Sequence, residues 1–226
     1  ASFARVDWLD RPPEKAWRGV LFANEVIDAL PATRFTLSEG EVFEEYVSID
    51  AAGRFMRVDR PADALVSGAV RHLERDLGTS FADGYRSEIL PQLPYWMQAV
   101  LGSLQAGLVL FVDYGYPRAE YYRPDRDDGS LVCHYRHRAH GDALWMPGLQ
   151  DITAFVDFTA LAEAGNHAGF AVAGYSSQAQ FLIAAGLASH FEQASEKADA
   201  AECYRLAQQV KRLTLPGEMG EKFQVM

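Results

Sequence analysis

Cysteine is scarce in this chain: two residues among 226, Cys133 and Cys203. Two thiols build no disulfide framework and suit a reducing compartment. Positive charge is also short. Lys and Arg number 21 against 31 Asp and Glu, a formal net charge of −10. Nucleic-acid binders carry a basic field, so a nucleic acid is set aside as partner; an acidic field steers cationic partners instead. No apolar run approaches the roughly 18 residues of a membrane span, and no charged-apolar-small signal segment opens the chain. The G-x-S-x-G elbow, the G-x-x-x-x-G-K-[ST] phosphate loop and the G-x-G-x-x-G dinucleotide turn are all missing. There are no repeats and no low-complexity tract.

What is present is a substantial apolar content, 49% of residues, enough for one large domain or one domain with an insert. Ala4, Val6 and Trp8 alternate with polar neighbours as in a strand, ended by Arg11, Pro12 and Pro13. Val20 to Ala23 reads as a buried parallel strand, followed by a helical start that Pro31 breaks. Between Phe35 and Asp59, alternating apolar residues and the turn signals Ser38-Glu39-Gly40 and Ala52-Gly53 suggest an antiparallel meander. Val66, Ala69, Val70, Leu73 and Leu77 share a helical face that Gly78 ends. Leu93 to Leu104 repeats the pattern, with Pro91 and Pro94 at its entry. Leu108 to Val112 is a second buried strand. Residues 117–150 show little periodicity and read as an irregular functional lid. Asp151 opens a further helix, Phe170 to Ala173 a strand, and Gln178 to Ala185 and the Cys203–Val210 stretch two more helices. Phe223 to Met226 resembles the first half of a strand. The alternation predicts an α/β fold with a parallel sheet, mixed at one edge. The whole chain, 1–226, is taken as one partial domain with a β-meander insert at 35–60. Its opening at Ala1, on the approach to a strand, is read as the loss of upstream residues.

The chemistry concentrates at two strand ends. Asn24, Glu25 and Asp28 follow the first buried strand directly, where open α/β sheets bind their ligands. Helix capping explains such a triplet equally well, because orphan amides and the helix dipole favour Asn and acids there; position at the strand end tips the balance toward a site. Asp113 and Tyr114 end the next strand. Glu88, in Tyr85-Arg86-Ser87-Glu88-Ile89-Leu90-Pro91, precedes a proline-restricted helix start and by itself reads as a surface carboxylate. His134, His137 and His140, with Cys133, invite a metal reading. Their uniform spacing lacks the paired ligands of structural zinc, and Arg136 and Arg138 between them repel a dication, so no metal is assigned.

The stretch Leu21-Phe22-Ala23-Asn24-Glu25-Val26-Ile27-Asp28-Ala29-Leu30-Pro31-Ala32-Thr33-Arg34-Phe35 resembles the MidA-like family of class I S-adenosylmethionine-dependent methyltransferases. That family includes a mitochondrial complex I assembly factor that acts as a protein arginine methyltransferase. Further matches are Glu88 in its Arg-x-Glu stretch, Asp113-Tyr114-Gly115, Gly129 to His140, Pro147 to Phe158, Gln178 to Leu182, and Met219-Gly220-Glu221 with Phe223. The resemblance implies a Rossmann-like sheet with helices on both faces and an antiparallel β insert, in which residues 4–9 form the third strand. The strands and glycine-rich loop that precede this point in the family are not in the sequence. Relatives carry His where Phe155 stands.

The resemblance further implies S-adenosylmethionine as cofactor, with Asp10 toward the adenine and Asn24 beside it. It implies Glu25, Asp28 and Glu88 as the carboxylates that grip an acceptor arginine, and Tyr114 and His137 as residues that shape its channel or take the proton. The partner implied is a basic, arginine-containing protein, such as a respiratory-complex subunit, with no nucleic acid and no membrane. The compartment is the cytoplasm in a bacterium and the mitochondrial matrix in a eukaryote. Two other readings share the fold: an assembly module without chemistry, and a small-molecule methyltransferase.

Overall fold

The computed structural model describes residues 6–136 and 138–226. The apolar run at the start of the chain becomes β1, Trp17–Asn24. Three strands follow, β2 Thr33–Ser38, β3 Glu41–Ile49 and β4 Phe55–Pro61. Then come α1 Ala64–Leu77, β5 Arg86–Ile89, α2 Leu93–Leu101 and β6 Leu104–Tyr116. A short α3, Arg118–Tyr121, leads into β7 Val132–Tyr135, β8 Arg138–His140, β9 Asp151–Thr153 and β10 Val156–Asp157. The last part holds α4 Phe158–His167, β11 Ser176–Ser177, α5 Gln178–Ala184, α6 Leu187–Ser195, α7 Ala200–Thr214, α8 Met219–Lys222 and β12 Phe223–Val225.

The main sheet runs β1-β6-β12-β11, with β10 on the end of β6. β1 and β6 are parallel, Val20 opposite Leu108 and Asn24 opposite Val112; β1 stops there, while β6 runs on through Asp113 and Tyr114, read from the sequence as its end, to Tyr116. β12 joins β6 antiparallel, with Gln224 opposite Asp113, which gives the sheet its mixed edge. Strand alternation sends Ala23 and Phe111 to one face, where Ile27, Met97, Leu101, Phe158 and Leu161 of the α2–α4 layer bury them. Val112 faces the other way, against Phe223, Val225, Phe181 and Met219, under α5 and α8. Helices therefore cover both faces of β6 around Phe111 and Val112, whereas Val20 and Phe22 of β1 and Leu108 of β6 are exposed, so the runs read as buried strands keep one open face. A second sheet, β4-β3-β2-β5, is wholly antiparallel. Phe35, Leu37, Val42 and Ile89 pack there against Val66, Val70 and Leu73 of α1. A third sheet, β8-β7-β9, lies within and after the 117–150 stretch.

Local signals place α1. Asp63 accepts the Val66 amide at 2.9 Å, and Gly78 closes the helix at φ 66°. Where pairing between distant strands competes with local signals, the sequence reading fails. Of the strand expected from Ala4, residues 4 and 5 lie outside the described residues, and residues 6–16 contain no strand. Residues 25–30 form a turn, with the Leu30 amide on the Ile27 carbonyl at 3.1 Å, and no helix. Glu88 sits on β5, not at a helix entry. Asp151 starts β9, held by β7, and the helix begins at Asp157, whose Oδ1 accepts the Thr159 and Ala160 amides at 2.9 and 3.1 Å. Residues 170–173 take no ladder partner, because β12 and β11 occupy that side of β6.

Gly115 shows how closely the main sheet is assembled. A Cβ there would stand 2.0 Å from the Val156 carbonyl oxygen and 2.7 Å from its nitrogen, both backbone atoms. Gly115→Ala is expected to part β6 from β10 and cost about 3 kcal/mol of stability, the upper end of overpacking effects, read as a lower urea midpoint.

Candidate functional site

At the rim, β1 hands over to the turn through Glu25, whose amide still bonds the Val112 carbonyl at 2.9 Å. Glu25 then adopts φ 51°, a left-handed conformation uncommon outside glycine, and one that gathers at functional positions. This bends the chain off the sheet, so three consecutive amides converge on the end of β6. Val26, Ile27 and Asp28 all donate to Asp113 Oδ2, at 3.3, 3.0 and 3.3 Å. Asp113 Oδ1 accepts the Tyr114 amide at 2.9 Å. Asn24 does not cap a helix; its Nδ2 donates to Glu25 Oε1 at 3.1 Å.

Above this turn stand the reactive groups. The Tyr114 hydroxyl donates to Glu25 Oε2 at 2.7 Å. Glu25 is exposed, whereas Asp28 is buried, and Asp28 Oδ1 has no hydrogen-bond partner among the described residues. The Tyr114 ring is braced by Phe223, edge-on at 4.5 Å, and by Phe155 at 6.2 Å. Electrostatics follow from the crowding of acids. Burial, then the charge of Glu25, push the Asp28 carboxyl up. Burial and the neighbouring Asp28 raise the Asp113 carboxyl to about 7. Burial and the hydrogen bond to Glu25 push the Tyr114 phenol well above its ordinary value, so it remains a donor. A rim with one exposed carboxylate and one buried, half-satisfied carboxyl suits a cation carrying several N–H donors.

Glu88 belongs to a different constellation. It is 1% exposed, and its carboxylate is held by Arg34 Nε at 3.2 Å and the Ser130 amide at 2.8 Å. Arg34 in turn binds Asp128 through its carbonyl and carboxylate, both at 2.8 Å. A Cβ on Gly129 would stand 2.3 Å from Glu88 Oε1, so the carboxylate is walled in. Glu88 thus fastens the second sheet to residues 128–130 rather than meeting the Glu25 cluster. The two regions touch indirectly: the Phe155 amide donates to Ser130 Oγ at 3.0 Å, and the Ala154 amide to the Asp28 carbonyl at 3.0 Å. Asp10 is exposed in the unpaired stretch before β1, with no strand end beneath it. His137 lies outside the described residues. Cys133, buried, and His134, exposed, alternate along β7 and so face opposite ways. No helix among the described residues is long and apolar enough to cross a membrane.

Sequence reasoning gave no role to Arg34 or Ser130. Arg34 stands in the same stretch as Glu25 and Asp28, but nothing local ties it to Glu88, which the pairing of β2 with β5 brings opposite it.

Comparison with known proteins adds the family. Residues 1–176 match the family described as "Putative S-adenosyl-L-methionine-dependent methyltransferase". The protein arginine methyltransferase NDUFAF7, mitochondrial, of Danio rerio is 27% identical over 215 residues, which are 91% of this chain and 46% of that protein. A Burkholderia thailandensis protein solved with S-adenosyl-homocysteine is 40% identical at a TM-score of 0.87, covering 98% of this chain and 56% of that one. A native structure from the same organism is 42% identical at 0.88, covering 98% and 57%. The chain therefore spans about half the length of these relatives. Matched by the family profile over 1–176 of its 226 residues, the chain belongs to this family of S-adenosylmethionine-dependent methyltransferases.

Proposed function

We propose that the protein to which this chain belongs moves a methyl group from S-adenosylmethionine to a guanidino nitrogen of arginine in a protein substrate. The observation that carries the reading is Asp28 Oδ1, a buried acceptor without a partner among the described residues, beside the exposed Glu25 carboxylate at the end of β1. A guanidinium presents five N–H donors in a planar fork and stays protonated in water, so two carboxylates can hold it and draw charge from the attacking nitrogen. The Danio rerio relative, described as a protein arginine methyltransferase, supports the same acceptor. The net charge of −10 favours encounter with a basic segment.

The same acidic rim fits the cofactor's positive sulfur, and Asn24, exposed beside Glu25, is the residue proposed to face it, with Asp10 farther out. When bound, S-adenosylmethionine supplies an electrophilic methyl on a sulfonium that leaves as a neutral thioether. Glu25 and Asp28 orient the acceptor nitrogen in line with that methyl, and orientation is the main lever in such a displacement. As the N–C bond forms, the nitrogen sheds one proton, which Glu25 accepts and passes to solvent. Tyr114, locked as a donor, keeps the Glu25 carboxylate in place. Glu88 acts at a distance, by holding the wall that includes Ser130 and Phe155.

The test uses the full-length protein, methyl-labelled cofactor and an arginine-containing peptide, with the product mapped by mass spectrometry. Label on arginine, lost when that arginine is replaced by lysine, is the expected result. Label confined to a small-molecule amine, or firm partner capture without cofactor binding, would overturn it.

A further inference from the structure

We infer that Asp113 is a positioning residue for this reaction: it clasps the 26–28 turn and thereby aims Glu25 and Asp28 at the acceptor, without touching substrate or cofactor. The inference rests on the proposed role of Glu25 and Asp28. Asp113 is buried with both carboxylate oxygens already taken by backbone amides, whereas Asp28 Oδ1 has no partner among the described residues. Its two oxygens collect four backbone amides, three from the turn and one from Tyr114. Successive amides converging on one anion make a nest, a concavity that ordinarily holds a phosphate or another anion. Here the chain fills its own nest with a side chain from the neighbouring strand, at the position opposite Gln224 of β12.

The consequences reach both reactive carboxylates. Glu25 is the residue whose left-handed φ delivers the three amides, so the clasp and the Glu25 conformation require each other. The backbone of Asp28 is held at both ends, its amide by Asp113 and its carbonyl by the Ala154 amide. Its side chain is thereby fixed with Oδ1 unpaired. Without Asp113 the Val26, Ile27 and Asp28 amides have no other acceptor in the turn, and the turn must reorganise to reach one. The adjoining Tyr114 is tied to the same carboxyl by its amide and to Glu25 by its hydroxyl. One buried acid therefore sets three residues of the rim.

Asp113→Asn is the conservative variant: its amide oxygen can still receive the turn, but its NH2 opposes the Tyr114 amide. We expect Asp113→Asn to keep the melting temperature within a few degrees and to lower kcat on the arginine peptide about tenfold with KM nearly unchanged. Combined with Glu25→Gln it should lower the rate by clearly less than the product of the two single effects, because residues acting as one unit are non-additive. Multiplying effects, or a rate change in proportion to the fall in melting temperature, would overturn the inference. Amide hydrogen exchange at 26–28 in the full-length protein gives a readout independent of any acceptor. Exchange faster there in Asp113→Asn, with β6 unchanged, is expected; equal exchange would refute the clasp. Should the variant fail to fold, the wild-type amide resonances of Val26, Ile27 and Asp28 decide. They should move together, through the same titration steps of the Asp28–Asp113 pair, and three unrelated responses would refute it. If the wild-type protein methylates no arginine peptide, the functional reading fails while the exchange result on the clasp stands.

Discussion

On the proposed reading, Glu25→Gln in the full-length protein is expected to lower kcat/KM on an arginine peptide by about 10²–10³-fold, the scale of losing one preorganised electrostatic partner of a transition state. Glu25 is exposed and held, among the described residues, by Asn24 and Tyr114, so its loss leaves the melting temperature nearly unchanged. Asp28→Asn gives a similar loss of rate with the opposite cost in stability. The Asp28 carboxyl is raised above its ordinary value by burial and by Glu25. A raised acid stabilises the fold only while protonated, so Asp28 costs stability as pH rises from its unfolded value through its folded one. Asparagine removes that cost, and Asp28→Asn is expected to melt higher than the parent at about pH 8 and about equally near pH 4. Activity is expected to run the other way: if Asp28 grips a guanidinium as proposed, it must be ionised, so kcat/KM should climb with pH as the Asp28–Asp113 pair loses its proton. The climb belongs to the pair, Asp113 itself lying at about 7. A pH–rate profile of parent and Asp28→Asn checks this; a profile of unchanged shape in the variant would remove Asp28 from the grip.

Arg118→Met has the largest expected effect on stability. Arg118 is 3% exposed and joins three carboxylates: Asp76 of α1 at 2.8 Å, Asp157 at the head of α4 at 3.2 Å, and Glu163 of α4 at 2.5 Å. It thereby ties the helix over the second sheet to the helix over the first. Asp76 and Glu163 are partly exposed and stay hydrated, so the loss falls on the buried Asp157, and stranding one partner of a buried ion pair costs about 3–5 kcal/mol. The pH dependence has a definite sign. Arg118 holds the Glu163 carboxyl below its usual range, a stabilisation present above the unfolded pKa and lost as pH falls through the folded one. Burial pushes the Asp157 carboxyl up, and Arg118 opposes that push. In Arg118→Met only the Thr159 and Ala160 amides oppose the push, so the deficit is greatest near neutrality and shrinks as acid protonates Asp157. Urea unfolding of parent and variant at about pH 5 and about pH 8 measures it; a deficit that grew toward the acid side would contradict the argument.

Local chemistry was legible. The Val66, Val70, Leu73 spacing and the Gly78 stop give α1 because a helix is built from contacts within a few residues. The alternation from Val42 to Ile49 gives β3 for the same reason, and the apolar runs give β1 and β6. The acids after β1 and on β6 were legible as a group, because parallel neighbours carry them to one place, although Asp113 is paired inside β6 and not at its end. Pairings across long stretches of chain were not. Residues 25–30 carry the signals of a helix start, but the amides such a start would leave open are taken by Asp113, 85 to 87 residues away in sequence. Glu88 reads as an exposed acid until Arg34 and Ser130 enclose it.

The sequence by itself determined the two longest helices and the five longest strands, that the chain builds an α/β sheet, and that carboxylates gather where β1 ends beside β6. Those properties follow from periodicity and residue type, which act over a few residues. Only the tertiary structure decided which carboxylate is exposed, which is buried and half-satisfied, and which is spent on holding backbone. That division depends on burial and on partners brought together by strand register, and neither is encoded in the spacing of Glu25, Asp28, Glu88 and Asp113 along the chain.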